Sequence, residues 1–336
     1  MSDSEQTNDP LESWEDGAAF GAAEDKDPIC KTPVEEWARA LDIHSTEEVP
    51  IPENLVDQVI GQEAASIIVR KAAEQRRHII MVGEPGTGKS MLARSMTEFL
   101  PKEQLEDILV YRNHEDENEP RIRTVPAGRG SSIISERRAH IKQQRERTNR
   151  TLLFIALVVG AALLLATLST GEILTFIFGS FLLVFGYFFL RTRLTAGDDG
   201  NIPKLLVKHN KEDEVPFIDA TGTLAGALLG DVRHDPFQSG ADLATPAHER
   251  VEPGAVHRAN KGVLYVDEIR MLRMEEQQAL LVAMQEKALS ISGRSERSSG
   301  ALTKSEPVPT DFILVAAGNL DSIQNMHPAL RSRIRG

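Results

Sequence analysis

Residues 83–90 read GEPGTGKS, and this stretch decides the fold. It matches the G-x-x-x-x-G-K-[ST] phosphate-binding pattern at every fixed position. The run before it, residues 78–82, is short, apolar and strand-forming, and the run after it, residues 91–100, has a helical pattern. A strand, a glycine-rich loop and a helix in this order predict a cradle whose backbone N–H groups converge on phosphate oxygens. We expect Lys89 to contact the β- and γ-phosphates of a nucleotide and Ser90 to hold Mg²⁺.

A second acidic element is expected to complete this site. Residues 262–269 read GVLYVDEI, an apolar strand-forming run that ends in an acidic pair. With a phosphate loop upstream, Asp267 is the expected Mg²⁺ ligand and Glu268 the expected general base for the attacking water. Residues 312–317 form another apolar run, and Asn319 follows it at a place that fits a γ-phosphate sensor.

Charge is distributed unevenly along the 336 residues, whose net charge is −12. Residues 1–30 carry nine acidic side chains and one basic side chain, so the rest of the chain carries only −4. We therefore expect residues 1–32 to form an acidic disordered tail. The chain has one cysteine, Cys30, so a disulfide within the chain is impossible and a reducing compartment is expected.

Two long uncharged runs dominate the middle of the chain. Residues 151–168 and 173–190 are each eighteen residues long without a charged side chain. Each is close to the ~20 residues that span a bilayer. Basic residues before the first run and after the second predict that both ends lie on the cytoplasmic side of a transmembrane hairpin. The alternative is a pair of buried helices, which usually show a polar stripe that these runs lack.

The order of these motifs resembles the AAA+ ATPase family: a phosphate loop, an Asp-Glu strand, a strand-end Asn and then a Pro-Ala-Leu-x-x-Arg segment. The resemblance implies an α/β fold, a parallel sheet flanked by helices. It implies that Ile60 and Gly61 contact adenine. It also implies that Arg333, with Arg331 as the near alternative, reaches the nucleotide of the next subunit. The full set of implied nucleotide contacts is Ile60, Gly61, Gly83, Glu84, Pro85, Gly86, Thr87, Gly88, Lys89, Ser90 and Asp267, with Glu268, Asn319 and Arg333 as catalytic groups.

Three stretches resemble archaeal-type membrane-anchored Lon proteases more narrowly: GDVRHDPFQSG, TPAHERVEPGAVHRANKGVLYVDEI and NMHPALRSRIRG. That family carries a two-span hairpin between its phosphate loop and its Asp-Glu strand, as here. The resemblance implies a hexameric ring that uses ATP and Mg²⁺ to unfold and degrade unfolded or membrane proteins at the cytoplasmic face of the cell membrane, in contact with membrane lipid. No nucleic acid partner is expected. The family's lid and its Ser–Lys proteolytic dyad are expected to follow Gly336.

Four segments are expected: the tail 1–32, the first part of the ATPase core 33–135, the basic flank and hairpin 136–195 with spans at about 151–168 and 173–190, and the second part of the core 196–336. Phe237 is a candidate pore-loop aromatic, with a packed loop residue as the alternative.

Two other functions stay open. One is a remodelling or chelatase-type AAA+ ATPase without a protease, which PGAVHRANKGVLYVDEI also resembles. The more distant one is a membrane-binding module without ATPase activity.

Overall fold

The computed structural model describes residue 45 and residues 51–84, 86–170, 173–195, 202–210, 212–233, 245–293 and 303–334. The expected acidic tail, Cys30, Pro85 and Phe237 lie outside the described residues. The chain divides into two units, Met1–Pro52 and Glu53–Gly336, and every element below belongs to the second unit.

The strands are β1 (Ile79–Val82), β2 (Glu106–Tyr111), β3 (Arg121–Pro126), β4 (Lys204–Val207), β5 (Phe217–Asp219), β6 (Asp231–Val232), β7 (Val251–Glu252), β8 (Val263–Val266), β9 (Ala288–Leu289), β10 (Val308–Pro309) and β11 (Ile313–Gly318). The α-helices are α1 (Glu63–Glu74), α2 (Lys89–Ser95), α3 (Arg129–Thr170), α4 (Ile173–Thr195), α5 (Ala225–Leu229), α6 (Ala247–Arg250), α7 (Ala255–Arg258), α8 (Met274–Glu286), α9 (Leu320–Gln324) and α10 (Pro328–Ile334).

A four-stranded parallel sheet in the order β1-β11-β8-β5 forms the centre of the fold. Successive residues of its strands face opposite sides, so each strand contributes to two hydrophobic clusters. Leu264 and Leu314 pack on one side with residues of α8 and α10. Val263 and Val315 pack on the other side with residues of α1 and α2. The expected α/β class, a parallel sheet flanked by helices, is confirmed.

A separate antiparallel sheet in the order β3-β2-β4 carries the long helical insertion. The insertion leaves from β3 and returns at β4, and both strands pair with β2. The buried Asp107 carboxylate on β2 accepts the Gly130 N–H at the start of α3 and the His209 N–H after β4, each at 2.7 Å. The Gly128 N–H also donates to the His209 carbonyl at 2.8 Å. The two ends of the insertion are therefore tied together at one place.

The insertion itself consists of α3 and α4. Both helices are long and apolar enough to span a membrane by length and composition, and neither span window is buried inside the protein. The basic segment expected before the first span does not form a separate element. It is the first part of α3, which runs without a break for 42 residues from the basic into the apolar stretch.

Several local expectations needed adjustment. The helix expected over residues 91–100 begins earlier, at Lys89, and gives way to a 3-10 turn at Met96–Phe99. The strands β2, β3 and β4 were not predicted, because their residues are mixed polar and apolar and one of them lies beyond the insertion. The strands β9 and β10 form an antiparallel hairpin before β11, with a bridge between Ser292 and Lys304, and residues 294–302 at its tip lie outside the described residues.

Candidate functional site

The phosphate loop connects the carboxyl end of β1 to α2. Its Gly86 and Gly88 have φ angles of +84° and +81°, which a residue with a side chain rarely adopts. A Cβ added at either glycine would meet no atom within 4 Å. The space beside both glycines is therefore open, which leaves room for a group to approach the backbone there. This is the geometry that a phosphate cradle requires.

Lys89 is held by the loop that it follows. Its Nζ donates hydrogen bonds to the carbonyls of Gly83 at 2.8 Å and Glu84 at 2.7 Å. The Thr87 hydroxyl also donates to the Glu84 carbonyl, at 2.9 Å. The ammonium group therefore lies against the loop, where it adds positive charge to the cradle. Ser90, the next residue, is exposed.

Ile60 and Gly61 lie three and two residues before the first residue of α1. The Gln62 side-chain amide donates to the Thr87 carbonyl at 3.5 Å, which joins the start of α1 to the loop. Gly61 has a φ angle of +76°, and Ile60 is 93% exposed. A cavity of about 310 Å³ begins at Gln62 and continues along α1, β1 and the loop. Ile60 and Gly61 are adjacent to this cavity in sequence but do not line it.

Asp267 and Glu268 form a tight turn after β8. The Asp267 N–H donates to the Thr221 hydroxyl, and the Glu268 N–H donates to Asp267 Oδ1, both at 2.9 Å. Glu268 has a φ angle of +49°, a left-handed conformation that is uncommon for a residue other than glycine. Both carboxylates are half-buried. The turn thus fixes two negative side chains at the carboxyl end of the sheet.

Sheet order brings the loop, Asn319 and the acidic turn to one edge. The strand β11, which leads to Asn319, lies between β1 and β8. The Gly83 N–H donates to the Gly318 carbonyl at 3.2 Å, which ties the start of the loop to the end of β11. Because all these strands are parallel, the groups that follow their carboxyl ends meet in the same crevice.

A buried serine that sequence reasoning missed connects Asn319 to Glu268. Asn319 Oδ1 accepts the Ser322 backbone N–H at 2.8 Å and lies 2.6 Å from the Ser322 hydroxyl. The same hydroxyl lies 3.0 Å from Glu268 Oε2. That oxygen also lies 3.5 Å from the exposed Arg270 Nε. The only sequence signal was a small polar residue one turn after the strand-end Asn, which is too common to single out.

Arg333 lies on α10, and its charge reaches the residue at the amino end of β1. It is an exposed side chain on α10. Its charge acts on His78, which directly precedes β1: burial, with a further contribution from Arg333, lowers the pKa of His78 to about 4. The phosphate loop of the same chain follows the other end of β1. Arg331 is half-buried on the same helix. Neither arginine is among the residues gathered at the carboxyl edge.

The donor set at the carboxyl edge fits a magnesium ion and a nucleotide. Mg²⁺ prefers oxygen ligands, and the Ser90 hydroxyl and the Asp267 carboxylate are oxygen donors of the kind that would fit it. Acidic charge also acts on the strand that leads to the turn: burial raises the pKa of Tyr265, and the charges of Asp267 and Asp219 raise it further. The open glycine loop and the Lys89 ammonium provide the complementary site for phosphate oxygens.

Two family descriptions match parts of the chain. Residues 55–123, which contain the phosphate loop, match "Magnesium chelatase, subunit ChlI". Residues 237–329, which contain the acidic turn and Asn319, match "Sigma-54 interaction domain".

Curated relatives cover most of the chain. The archaeal Lon protease of Thermoplasma acidophilum is 54% identical over 304 residues, which is 90% of this chain and 46% of that protein. Its counterpart in Thermococcus kodakarensis is 55% identical over 296 residues, or 88% and 46%. That of Halobacterium salinarum is 53% identical over 300 residues, or 88% and 41%. The chain therefore spans about half the length of the relatives it matches.

Among solved structures, a complex of the magnesium chelatase subunits BchI and BchD aligns with 85% of this chain and 60% of that chain, at 17% identity and a TM-score of 0.38. An NtrX structure from Brucella abortus in complex with ADP aligns with 90% of this chain and 38% of that chain, at 12% identity and a TM-score of 0.35.

Proposed function

The stretch that this chain spans belongs to the archaeal Lon protease family, and from that premise we propose that it is the ATPase module of a membrane-anchored, ATP-dependent Lon-type serine protease. One observation carries the proposal. The phosphate loop, the Asp267–Glu268 turn and Asn319 converge on one edge of the parallel sheet. The relatives contribute the protease assignment, because they are named Lon proteases and are about twice as long as the chain.

Each group in the crevice has a chemical role in ATP hydrolysis. The loop amides and Lys89 bind the phosphates, and Ser90 and Asp267 would hold Mg²⁺, which would supply positive charge against the phosphate oxygens. Glu268 accepts a proton from the attacking water, whose oxygen bonds to the γ-phosphorus while the bond to the ADP oxygen breaks. Asn319 contacts the γ-phosphate. Ile60 and Gly61 contact adenine beside the cavity that begins at Gln62.

Membrane anchorage is proposed for the hairpin α3–α4. The side chains of both apolar stretches are largely exposed, which is unfavourable in water and favourable in lipid. Where the basic and apolar parts meet, a cavity of about 390 Å³ lies between the two helices. Arg150, Arg191 and Tyr187 line its polar side, and Leu153 and Leu157 line its apolar side. This division suits lipid headgroups at the cytoplasmic interface.

Assembly into a homo-oligomer, a hexamer by the family resemblance, is part of the proposal, and Arg333 supports it. An arginine that acts on the γ-phosphate must come close to it. The charge of Arg333 acts on His78, at the amino end of β1, whereas the phosphate loop of the same chain follows the carboxyl end of that strand, which favours contact with the nucleotide of a neighbouring subunit. ATP hydrolysis in such a ring would drive the unfolding of protein substrates for degradation at the cytoplasmic membrane face.

A chelatase-type or remodelling ATPase is the second candidate function. It is favoured by the match of residues 55–123 to a magnesium chelatase subunit. The two candidates share every step of ATP hydrolysis and differ only in what hydrolysis drives. A fluorescent casein assay on the full-length protein in detergent separates them. ATP-stimulated cleavage supports the protease, and ATP hydrolysis without cleavage supports the remodelling enzyme.

The first test of the site separates binding from hydrolysis. Lys89→Ala is expected to abolish nucleotide binding, because it removes the charge that contacts the phosphates. Glu268→Gln is expected to keep binding and to lower turnover by at least about 100-fold, because the amide cannot accept the proton. ATP affinity and steady-state turnover are measured in the full-length assembly.

The controls are Lys71→Ala and Glu286→Gln, two exposed residues on α1 and α8. Both should behave as the wild-type protein does. Normal turnover by Glu268→Gln would refute its assignment as the base, and normal nucleotide affinity of Lys89→Ala would refute the phosphate-loop assignment.

A further inference from the structure

Ser322 occupies the point where the expected sensor and the expected base meet. It lies in the short helix α9, directly after β11, and its side chain is fully buried. Its hydroxyl lies 2.6 Å from Asn319 Oδ1 and 3.0 Å from Glu268 Oε2. Among the described residues, Ser322 is the one whose side chain lies within hydrogen-bond distance of both the Asn319 and the Glu268 side chains.

The hydroxyl has one proton and two acceptors within reach. It can donate to only one of them at a time. Asn319 Oδ1 is the nearer acceptor and also accepts the Ser322 backbone N–H at 2.8 Å, whereas Glu268 Oε2 is charged and forms the stronger hydrogen bond once the hydroxyl turns to it. The two acceptors therefore compete for the same proton, and a movement of either one changes which acceptor receives it.

Close packing holds Ser322 in this place. A Cβ on Gly318 would lie 2.9 Å from the Ser322 Cβ and 3.3 Å from its Oγ, so Ser322 can approach only because residue 318 is glycine. The Gly318 carbonyl in turn accepts the N–H of Gly83, the first residue of the phosphate loop. The serine is thus packed against a backbone that is hydrogen-bonded to the loop itself.

We propose that Ser322 is a positioning residue that couples the γ-phosphate sensor to the general base. When the Asn319 amide turns toward a γ-phosphate, its carbonyl oxygen releases the Ser322 hydroxyl, which then donates to Glu268 and orients the carboxylate toward the attacking water. Arg270 contacts the same carboxylate oxygen from the exposed side, where solvent weakens its charge. Ser322 is the buried, directional contact.

This inference rests on the proposed ATPase activity and predicts a change in turnover without a change in binding. Ser322→Ala should lower kcat by roughly 10- to 100-fold, the effect of losing one hydrogen bond to a charged group. The affinity for ATP and the KM should stay within about 3-fold of the wild-type values, because the hydrogen-bond partners of the Ser322 hydroxyl are Asn319 and Glu268 rather than described residues of the loop. Both quantities are measured on the full-length assembly.

A double-mutant cycle with Asn319→Ala tests the coupling itself. If Ser322 acts together with Asn319, the combined variant should be scarcely slower than the slower single variant. If Ser322 were only structural, the fold losses in kcat of the two single variants would multiply in the double variant. The Ser322 variant would also have a lower melting temperature. Ser322→Cys, which keeps the size and offers a weaker donor, should give an intermediate kcat and serves if the alanine variant does not fold.

The matched control is Ser95→Ala. Ser95 is also a fully buried helical serine, but its hydroxyl donates only to the Leu92 carbonyl of its own helix, at 2.8 Å. Three results would each overturn the inference. These are a wild-type kcat in Ser322→Ala, single-variant losses that multiply in the double variant, and a loss of ATP affinity equal to the loss of kcat. If Lys89→Ala leaves hydrolysis intact, the proposed ATPase site fails instead, so the two failures are distinguishable.

Discussion

At the scale of single residues, Glu268 shows what the sequence does not reveal. Its left-handed backbone costs on the order of 1 kcal/mol for a residue with a side chain. The turn that imposes it is held by the Asp267 side chain and by Thr221 on a separate segment. The acidic pair was readable from its position after an apolar run, but the conformation that aims it depends on contacts between distant segments.

His257 gives a prediction at the same scale. This fully buried ring accepts the Gly254 N–H at Nδ1 and contacts the Leu289 carbonyl through Nε2 at 3.1 Å. Burial lowers the pKa of His257 to about 4. In the unfolded chain the ring binds a proton near pH 6.5. The stability that the neutral, buried His257 gives the folded protein is therefore complete above that pH and declines as the pH falls toward 4. The expected loss in unfolding free energy is on the order of 3 kcal/mol.

Denaturant unfolding at several pH values between 7.5 and 4 measures this effect. His257→Gln, which does not titrate, should flatten the decline, although His78, whose pKa is also lowered to about 4, will retain part of it. His114→Gln, a change at an exposed histidine, is the control and should leave the decline intact. Equal slopes in wild type and His257→Gln would contradict the prediction.

At the scale of elements, the helical hairpin was the most predictable feature, because two uncharged runs separated by a short polar segment have few alternatives. What could not be predicted was its attachment. The 42 residues of α3 correspond to a helix of about 63 Å, twice a bilayer core. The hairpin is attached to the sheet of β2, β3 and β4. Because β4 pairs with β2 across the whole insertion, this sheet leaves no pattern in a short stretch of sequence. The buried Asp107, which joins both ends, also gave no signal.

The topology of this hairpin is the element-scale prediction. Basic residues flank the far ends of both apolar stretches, so residues 169–172 should be the part exposed outside the cell. Ser169→Cys should react with an impermeant thiol reagent added to intact cells, and Cys30 should not. The measurement is the shift in gel mobility that the attached reagent causes.

Ser135→Cys on the same helix is the matched control. It lies in the basic part of α3 and is exposed, so it should react only after the cells are permeabilised. Labelling of Ser135→Cys but not of Ser169→Cys in intact cells would reverse the topology. Labelling of both in membrane-free extracts, with the protein soluble, would remove the membrane proposal.

At the scale of the whole molecule, the motif order predicted the parallel sheet and the convergence of three motifs on its edge. Ser322 and Thr221 complete the site and were missed, since each is an ordinary small polar residue whose role exists only through contacts across the chain. Arg333 was predicted from the family pattern. Its charge acts on His78, before β1, whereas its own phosphate loop follows the other end of that strand, about 13 Å along it.

This separation leads to a prediction about the assembled ring. Arg333→Ala subunits and Lys89→Ala subunits should each be inactive alone, the first because charge on the γ-phosphate is not neutralised and the second because nucleotide is not bound. Mixed in equal amounts, about a quarter of the interfaces pair an intact Lys89 with an intact Arg333 of the neighbour, if subunits exchange at random in a ring. ATP turnover should recover in proportion.

Two further mixtures make the assignment specific. Lys89→Ala subunits mixed with subunits that carry both substitutions contain no intact pair and should stay inactive. Arg331→Ala subunits should remain active alone, because Arg331 is half-buried on α10 while Arg333 is exposed. If no mixture of Arg333→Ala and Lys89→Ala recovers turnover although mixed rings form, Arg333 does not act across a subunit boundary. If Arg331→Ala subunits are inactive alone and recover turnover when mixed with Lys89→Ala subunits, Arg331 is the residue that reaches the neighbouring nucleotide. Arg333 would then make a different contact.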